Sequence, residues 1–338
     1  MGTTRFLAAC FFAGILPAAF GQDAAMPEYR PAPPLKGVVR VMGNNHMETL
    51  MHLWEESFHR YHPDVIFQNK YLGTANAIAG LYLETADVAL MGREIFPIED
   101  VAYRKAFPSG ALDVPVATAS FNVPLETFAF AIFVNRANPL EKITLRQLDA
   151  IFGCERKLGA PAPIRTWGDL GLTGEWAARP IQLHGYEIPT GLGYFFQTKV
   201  LGGSHKWNCG LNEYANEYAP DGKLLANAGD RIVKAIESDP GAIGFCGFGH
   251  IASGVKALAL SENDGPYVTL DRKNVESRIY PLTRTVYFFV NRQPSNPAVT
   301  EFLRYVLSGA GQREVARQNV YLPLPAGFVR TELAKLPK

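Results

Sequence analysis

The sequence predicts an α/β fold built as two lobes, and two observations carry that expectation. Its 338 residues exceed what one hydrophobic core usually organises. Short apolar runs of strand character alternate with amphipathic stretches of helical period, which is the pattern of βαβ units around a sheet. A short echo bears on the same point. Phe133-Val134-Asn135-Arg136 is followed by Asn138-Pro139, and Phe289-Val290-Asn291-Arg292 by Asn296-Pro297. Either strand-to-turn junctions simply look alike, or the echo marks equivalent points where the chain crosses between two similar lobes.

The elements follow in order. Residues 1–20 carry one charge, Arg5, then an apolar run over 6–20, with Ala19 and Gly21 as the small residues of a cleavage site. The run is short and interrupted by Pro17, so a cleaved secretory signal over 1–21 is expected rather than a spanning helix. Leu7-Ala8-Ala9-Cys10 looks like a lipoprotein box, but no apolar stretch precedes it, which argues against lipidation. Residues 22–36 are proline-rich and polar and suit an extended leader. Strands are then expected over 38–42, 65–69, 88–91 and 113–117, with helices over 47–61 and 75–83. A long apolar segment covers 128–135. Helices over 144–152, 192–200 and 226–238 alternate with strands over 181–184 and 241–246. A late strand over 286–291 precedes helices near 297–307, 311–319 and 326–336.

Charge narrows the partners. Loss of Arg5 with residues 1–21 leaves 32 basic against 32 acidic residues. That balance argues against nucleic acid, because neutralising phosphates needs a basic surface. No later apolar run reaches membrane-spanning length. Cys154, Cys209 and Cys246 remain after cleavage. An odd count in an oxidising compartment permits one disulfide plus a thiol, with Cys154 and Cys209 as the expected pair, or three buried thiols. Cys246 sits in an apolar run and reads as a small core residue.

Catalytic signatures are missing from the sequence. There is no G-x-S-x-G elbow and no H-E-x-x-H helix. His59 and His62 stand three apart near a helix end, but no third ligand accompanies them, so a solvated helix end is expected and no metal. The glycines of 168–174 lack the Lys-Ser/Thr ending of a phosphate loop, and those of 244–249 lack a dinucleotide context. No cofactor is expected.

One segment suggests binding instead. In RPIQLHGYEIPTGLG (179–193) a strand feeds a polar turn, and Thr190-Gly191 opens a helix. Unpaired N–H groups and the helix dipole make such a start an anion seat. Thr190 is equally an ordinary helix cap.

Several blocks, in a fixed order, resemble the substrate-binding proteins of phosphate-type ABC importers, the type II periplasmic-binding-protein family. They are Asn138-Pro139-Leu140, the run from Thr144 to Phe152, Thr166-Trp167-Gly168-Asp169-Leu170, Gly174 to Ala177, and Arg179-Pro180-Ile181. Asp239 to Gly244, Leu307-Ser308, Gly311-Gln312 and Tyr321 to Pro325 complete the series. The resemblance implies two α/β lobes joined by crossover strands and closing on a ligand in the cleft between them. The first lobe would comprise residues 37–125 and 282–338, and the second residues 126–281.

The resemblance also implies ligand positions: Asn44, Asn45 and His46 in the first loop, Thr74 in the second, Gly92 and Arg93 in the third, and Tyr186, Thr190 and Gly191 in the fourth. The family's usual arginine and second hydroxyl are replaced here by Tyr186 and Leu192, so Arg93 is the expected substitute cation. Plainer roles exist for each residue. Asn44 and Asn45 suit a turn, His46 a helix start, and Thr74 a helix cap, while Arg93 has Glu94 and Asp87 as surface partners.

The implied function is that of an exported, monomeric, periplasmic protein that captures phosphate or a related small oxyanion for an ABC permease in the inner membrane. A sensor or adaptor of the same fold, with drifted ligand loops, is the alternative. A permease and ATPase encoded beside it would favour the first, and a sensor kinase the second.

Overall fold

The computed structural model describes residues 25–123, 125–262 and 265–337, so the expected signal segment lies outside the described residues. The first half of the chain forms β1 (Lys36–Gly43), α1 (Glu48–Phe58), β2 (Asp64–Lys70), α2 (Ala77–Tyr82), β3 (Val88–Met91), α3 (Pro97–Ala106) and β4 (Ala111–Thr118). The middle adds β5 (Phe130–Asn135), β6 (Lys142–Thr144), α4 (Leu145–Phe152), β7 (Gln182–Tyr186), α5 (Gly191–Val200), β8 (Leu211–Tyr214), β9 (Glu217–Tyr218) and β10 (Leu224–Ala226). Next come α6 (Ala228–Ser238), β11 (Ala242–Gly247), β12 (Val255–Ala257), β13 (Ala259–Ser261) and α7 (Arg272–Glu276). The chain returns through β14 (Thr285–Asn291), α8 (Pro297–Val306), α9 (Gly309–Gln318) and α10 (Ala326–Leu333).

Two five-stranded sheets organise these elements, in the orders β2-β1-β3-β14-β4 and β12-β5-β11-β7-β8. Each sheet has a parallel portion made of βα units, β2-β1-β3 in one and β11-β7-β8 in the other. Each also carries an antiparallel strand that arrives from the other lobe, β14 in the first and β5 in the second. The echo noted in the sequence falls at the ends of these two strands. Asn135 and Asn291 therefore stand at equivalent places, which favours the crossing interpretation of that echo.

Why the strands read as apolar runs is plain from the layers. Val88 and Leu90 of β3 face a core shared with α1, α8 and α9, while Ala89 and Met91 face a smaller core with α2 and α3. A sheet covered on both faces needs apolar residues on both sides of its pleat. In the second lobe, Phe245 on β11 lies 3.9 Å centroid to centroid from Phe196 of α5, at the centre of an aromatic core. Caps set the helix starts: Thr144, Asn227, Asn296 and Ser308 each accept a backbone N–H from the first turn.

Three expectations are corrected. Residues 25–35 are extended, but they pack: Met26, Tyr29 and Leu35 lie on the first-lobe core, and Gly309 N–H donates to Pro27 O at 2.7 Å. His62 is not at a solvated helix end. It is wholly buried, packs its ring against Phe58, and is hydrogen bonded to Tyr29 Oη at 2.8 Å and to the Leu35 N–H at 3.2 Å. Cys154 and Cys209 are free and exposed rather than bonded, while Cys246 is buried as expected.

His62 gives this lobe a pH dependence. Burial pushes its imidazole below the ordinary range, and Glu301 pulls the other way. The unfolded chain then takes up the proton first, so the contribution is complete above about pH 6.5 and is lost as pH falls below that value. Urea titrations at pH 7.5 and pH 5 are expected to show a smaller loss of stability for His62→Gln than for the native chain. An equal loss in both would remove His62 as a cause.

Candidate functional site

The chain passes between the two large sheets after β4 on its way to β5, and again before β14. These passages run side by side, with Ala119 N–H donating to Arg284 O and Phe130 N–H to Leu282 O, each at 3.1 Å. A cavity of about 580 Å³ sits over the double crossing. First-lobe loops line one wall, through Asn44, Asn45 and His46 after β1, Thr74 after β2, and Gly92 and Arg93 after β3. Glu126, Thr127, Phe128 and Arg284 of the crossings form the floor. Tyr186, Gly191, Leu192, Asn227 and His250 are among those of the second lobe. Loops at the carboxyl ends of parallel strands are where α/β sheets ordinarily bind ligands.

The floor is built around Gly92. A Cβ there would lie 2.6 Å from Asn44 Nδ2 and 2.7 Å from Thr127 Oγ1, so two polar side chains converge on the space that glycine leaves. Asn44 is buried, and its Oδ1 accepts the His46 N–H at 3.0 Å, which leaves Nδ2 directed toward Gly92. The turn role and the cavity-lining role of Asn44 therefore coexist. Gly92 O accepts from Thr127 Oγ1 at 3.2 Å and from Arg284 Nη2 at 2.9 Å.

Arg284 is the residue that reading the sequence missed. It is 4% exposed, and its guanidinium carbon lies 5.5–5.8 Å from the ring centres of Phe128, Phe130 and Phe195. Its Nε is buried without a hydrogen-bond partner among the described residues. Burial lowers its pKa from the ordinary value, with through-space attraction to Glu94 offsetting part of the effect. Arginine's high basicity nevertheless keeps it charged. A buried charge without a matched partner is costly, so proteins seldom keep one without a use for it. The sequence held one signal: an arginine at the mouth of the buried strand Thr285–Asn291, where charged residues are rare.

The other basic side chains that line the cavity are already engaged. Arg93 lines the cavity, but its guanidinium forms a fork on Glu99, with Nη1 to Oε2 at 2.7 Å and Nη2 to Oε1 at 2.6 Å. Its partner is Glu99, not Asp87, which is bonded to Arg40. Glu94 contributes only its carbonyl oxygen, at 2.8 Å. His46 Nδ1 lies 3.5 Å from Glu126 Oε1, and that contact raises its pKa against the opposing effect of burial. His250 Nδ1 is 2.8 Å from Asp230 Oδ1.

The fourth loop is arranged differently from expectation. The Tyr186 ring lines the cavity, but its hydroxyl points into the core, 3.4 Å from Cys246 Sγ and accepting the Gly247 N–H at 3.2 Å. Burial there raises the phenol well above its ordinary pKa. Thr190 is not among the residues that line this cavity. Its hydroxyl donates to Glu187 O at 2.7 Å and accepts the Gly193 N–H at 3.1 Å, which makes it a helix cap. Thr74 does not cap α2; it opens the short turn Thr74–Asn76. Thr190→Ala is expected to lower stability by about 1 kcal/mol through the lost cap and to leave anion affinity within threefold. A larger loss of affinity would restore the hydroxyl to the site.

This arrangement can hold a small anion against one buried cation and several neutral donors. A sequence-family profile described as a PBP superfamily domain matches residues 30–310. The chain belongs to the PBP superfamily. Within it, the chain belongs to the family of phosphate-type substrate-binding proteins. It is 32% identical over 345 residues to the phosphate-binding protein PstS of Pseudomonas aeruginosa, with 99% of each chain covered. The protein SphX of Synechococcus elongatus is 28% identical over 60% of this chain and 56% of its own. Among solved structures, PstS from Borrelia burgdorferi superposes with a TM-score of 0.56 at 17% identity, covering 86% of this chain and 99% of that one. An ABC-type phosphate transport receptor from Vibrio cholerae gives 0.53 at 19%, covering 84% and 99%. These two likenesses concern the fold.

Proposed function

We propose that this protein captures inorganic phosphate, or a closely related tetrahedral oxyanion, in the interlobe cavity and delivers it to an ABC permease after export to the periplasm. We take the first lobe as residues 37–125 and 282–338 and the second as 126–281. The observation that carries the proposal is Arg284, a guanidinium buried at the cleft floor and lacking a carboxylate fork. An anion above Gly92 would complete it, with Asn44 Nδ2 as a neutral donor beside it. Arg284 thus takes the part expected of Arg93, while Arg93 is neutralised by Glu99.

Phosphate fits better than sulfate for a reason of proton count. Glu126 lines the cavity and, when ionised, can only accept hydrogen bonds. Phosphate near neutral pH still carries a proton to donate to such a group, and sulfate does not. The curated relatives support the reading, since the Pseudomonas protein is named as phosphate-binding. They are binding proteins, and no enzymatic activity is proposed. A cavity of this volume holds a four-oxygen anion several times over, so bound water beside the anion or a further tightening of the lobes fills the remainder.

Calorimetric titration of ligand-stripped protein with phosphate and with sulfate tests the proposal. Phosphate is expected to bind and to raise the melting temperature, and sulfate to do so far more weakly. No thermal shift with millimolar phosphate would refute it. Gly92→Ala places a methyl group among the converging donors, and a phosphate dissociation constant at least tenfold higher is expected in the same titration. The accompanying strain should cost about 1–3 kcal/mol of stability.

A further inference from the structure

The two lobes touch on one side of the cavity, away from the floor. Phe96, which precedes α3 in the first lobe, meets Tyr194 of α5 in the second edge to face, with centroids 5.1 Å apart at 85°. Beside this pair the stem of Arg93 lies against Gly191. A Cβ at Gly191 would come within 2.6 Å of Arg93 Cδ. Gly191 does not have a left-handed backbone, so the demand for glycine comes from this close approach of one lobe to the other.

The first-lobe half of the contact is rigidly held. Glu99 binds the Arg93 guanidinium in a fork and also accepts the Phe96 N–H at 2.8 Å. The Arg93 guanidinium in turn sits 3.7 Å from the centre of the Phe96 ring. One carboxylate therefore fixes both a cation and an aromatic ring as a platform. The second lobe brings Gly191 and Tyr194 to it, one turn apart on the first turn of α5. Phe96 and Tyr194 do not line the cavity, so neither touches a ligand held there.

We infer that the Arg93–Phe96 platform and the Gly191–Tyr194 face of α5 form an interlobe latch, and that these positioning residues set ligand affinity by biasing the cleft toward closure. The apparent affinity of a protein that binds only when closed scales with the fraction closed. An edge-to-face aromatic pair biases such an equilibrium by roughly two- to tenfold. This inference rests on the phosphate reading for its ligand but not for its geometry.

Phe96→Ala, Tyr194→Ala, their combination and Tyr194→Phe are compared with the native protein. Phosphate binding is followed by calorimetry and stopped flow, and the ligand-free proteins by small-angle scattering and thermal melting. Each alanine variant is expected to weaken phosphate binding about three- to tenfold through faster dissociation. The double variant should be no weaker than the worse single, because one contact is being removed twice. Tyr194→Phe keeps the ring and should keep native affinity. The ligand-free alanine variants should show a larger radius of gyration, with the melting temperature lowered by no more than the few degrees that loss of one such contact allows. Unchanged affinity and unchanged scattering in both singles would overturn the latch, as would additive losses or a fall in melting temperature of more than about 5 °C. If the native protein fails to bind phosphate, the function proposed above is wrong; scattering alone then decides the latch, with expansion supporting it and no change refuting it.

Discussion

Arg284→Gln is expected to raise the phosphate dissociation constant at least a hundredfold while leaving the ligand-free protein as stable as before, or more so. Two effects combine. The variant removes the cation that an incoming oxyanion would meet, and truncating one partner of a buried charged hydrogen bond typically costs about 2–5 kcal/mol of binding. It also relieves the ligand-free fold of a buried charge whose Nε has no partner among the described residues, which is neutral or stabilising. Gly92 O keeps its bond from Thr127 Oγ1, so the floor does not lose its anchor. Arg284→Lys keeps a point charge without the guanidinium fork and should fall between, at roughly tenfold weaker. Calorimetry gives the affinities, and melting without ligand gives the stability. A variant that melts lower and still binds phosphate would mean that Arg284 is structural and that the anion sits elsewhere.

Phe245→Ala is expected to be the most damaging single change to the fold. Phe245 is wholly buried, stacked on Phe196, with Phe130, Phe152, Tyr186 and Trp207 within 5.7–6.2 Å centroid to centroid. Truncating such a ring costs about 3–5 kcal/mol, because the surrounding rings cannot collapse fully into the cavity. The first lobe has its own core, built on Trp54, Phe288 and Phe302, so it should not share the loss in full. Calorimetric unfolding should change from one transition to two, with the earlier one shifted down by roughly 10 °C. A single transition moved by a degree or two would show that the lobes unfold as one and that this core can repack.

Much of the fold was legible because its causes are local. Strand 88–91 and the helices starting near 144, 191, 297 and 326 follow from apolar spacing, proline and cap residues within a few positions of each start. Helix Pro97–Ala106 was overlooked although it carries proline and acidic residues in its first turn and basic ones in its last. Tyr103 is its sole buried residue, so its apolar stripe is too thin to give a periodic signal. The short strands over 211–226 and 255–261 were missed because they are two to four residues long; β8, β12 and β13 exist through pairing with partners far off in sequence, and β9 and β10 only with each other.

The site divides along the same line. Every ligand position expected from the sequence except Thr190 lines one cavity, because those positions are loop residues at strand ends, and the fold gathers such loops in one place. Which groups are available within that cavity was another matter. Thr190 closes a local hydrogen-bond ring as a cap, Tyr186 turns its hydroxyl to Cys246, and Arg93 is taken by Glu99.

The sequence by itself determined the two-lobed α/β class, the order of most elements, and the loops that meet at the cleft. The class and the order of elements depend on periodicity and capping over a few residues, and the loops were placed by the resemblance that the ordered motif blocks carry. Only the tertiary structure decided which cation at the cleft floor is left without a carboxylate partner. Arg284 reaches Gly92 across 192 positions of sequence, and the charge left unmatched after all other pairs have formed depends on every one of those pairings.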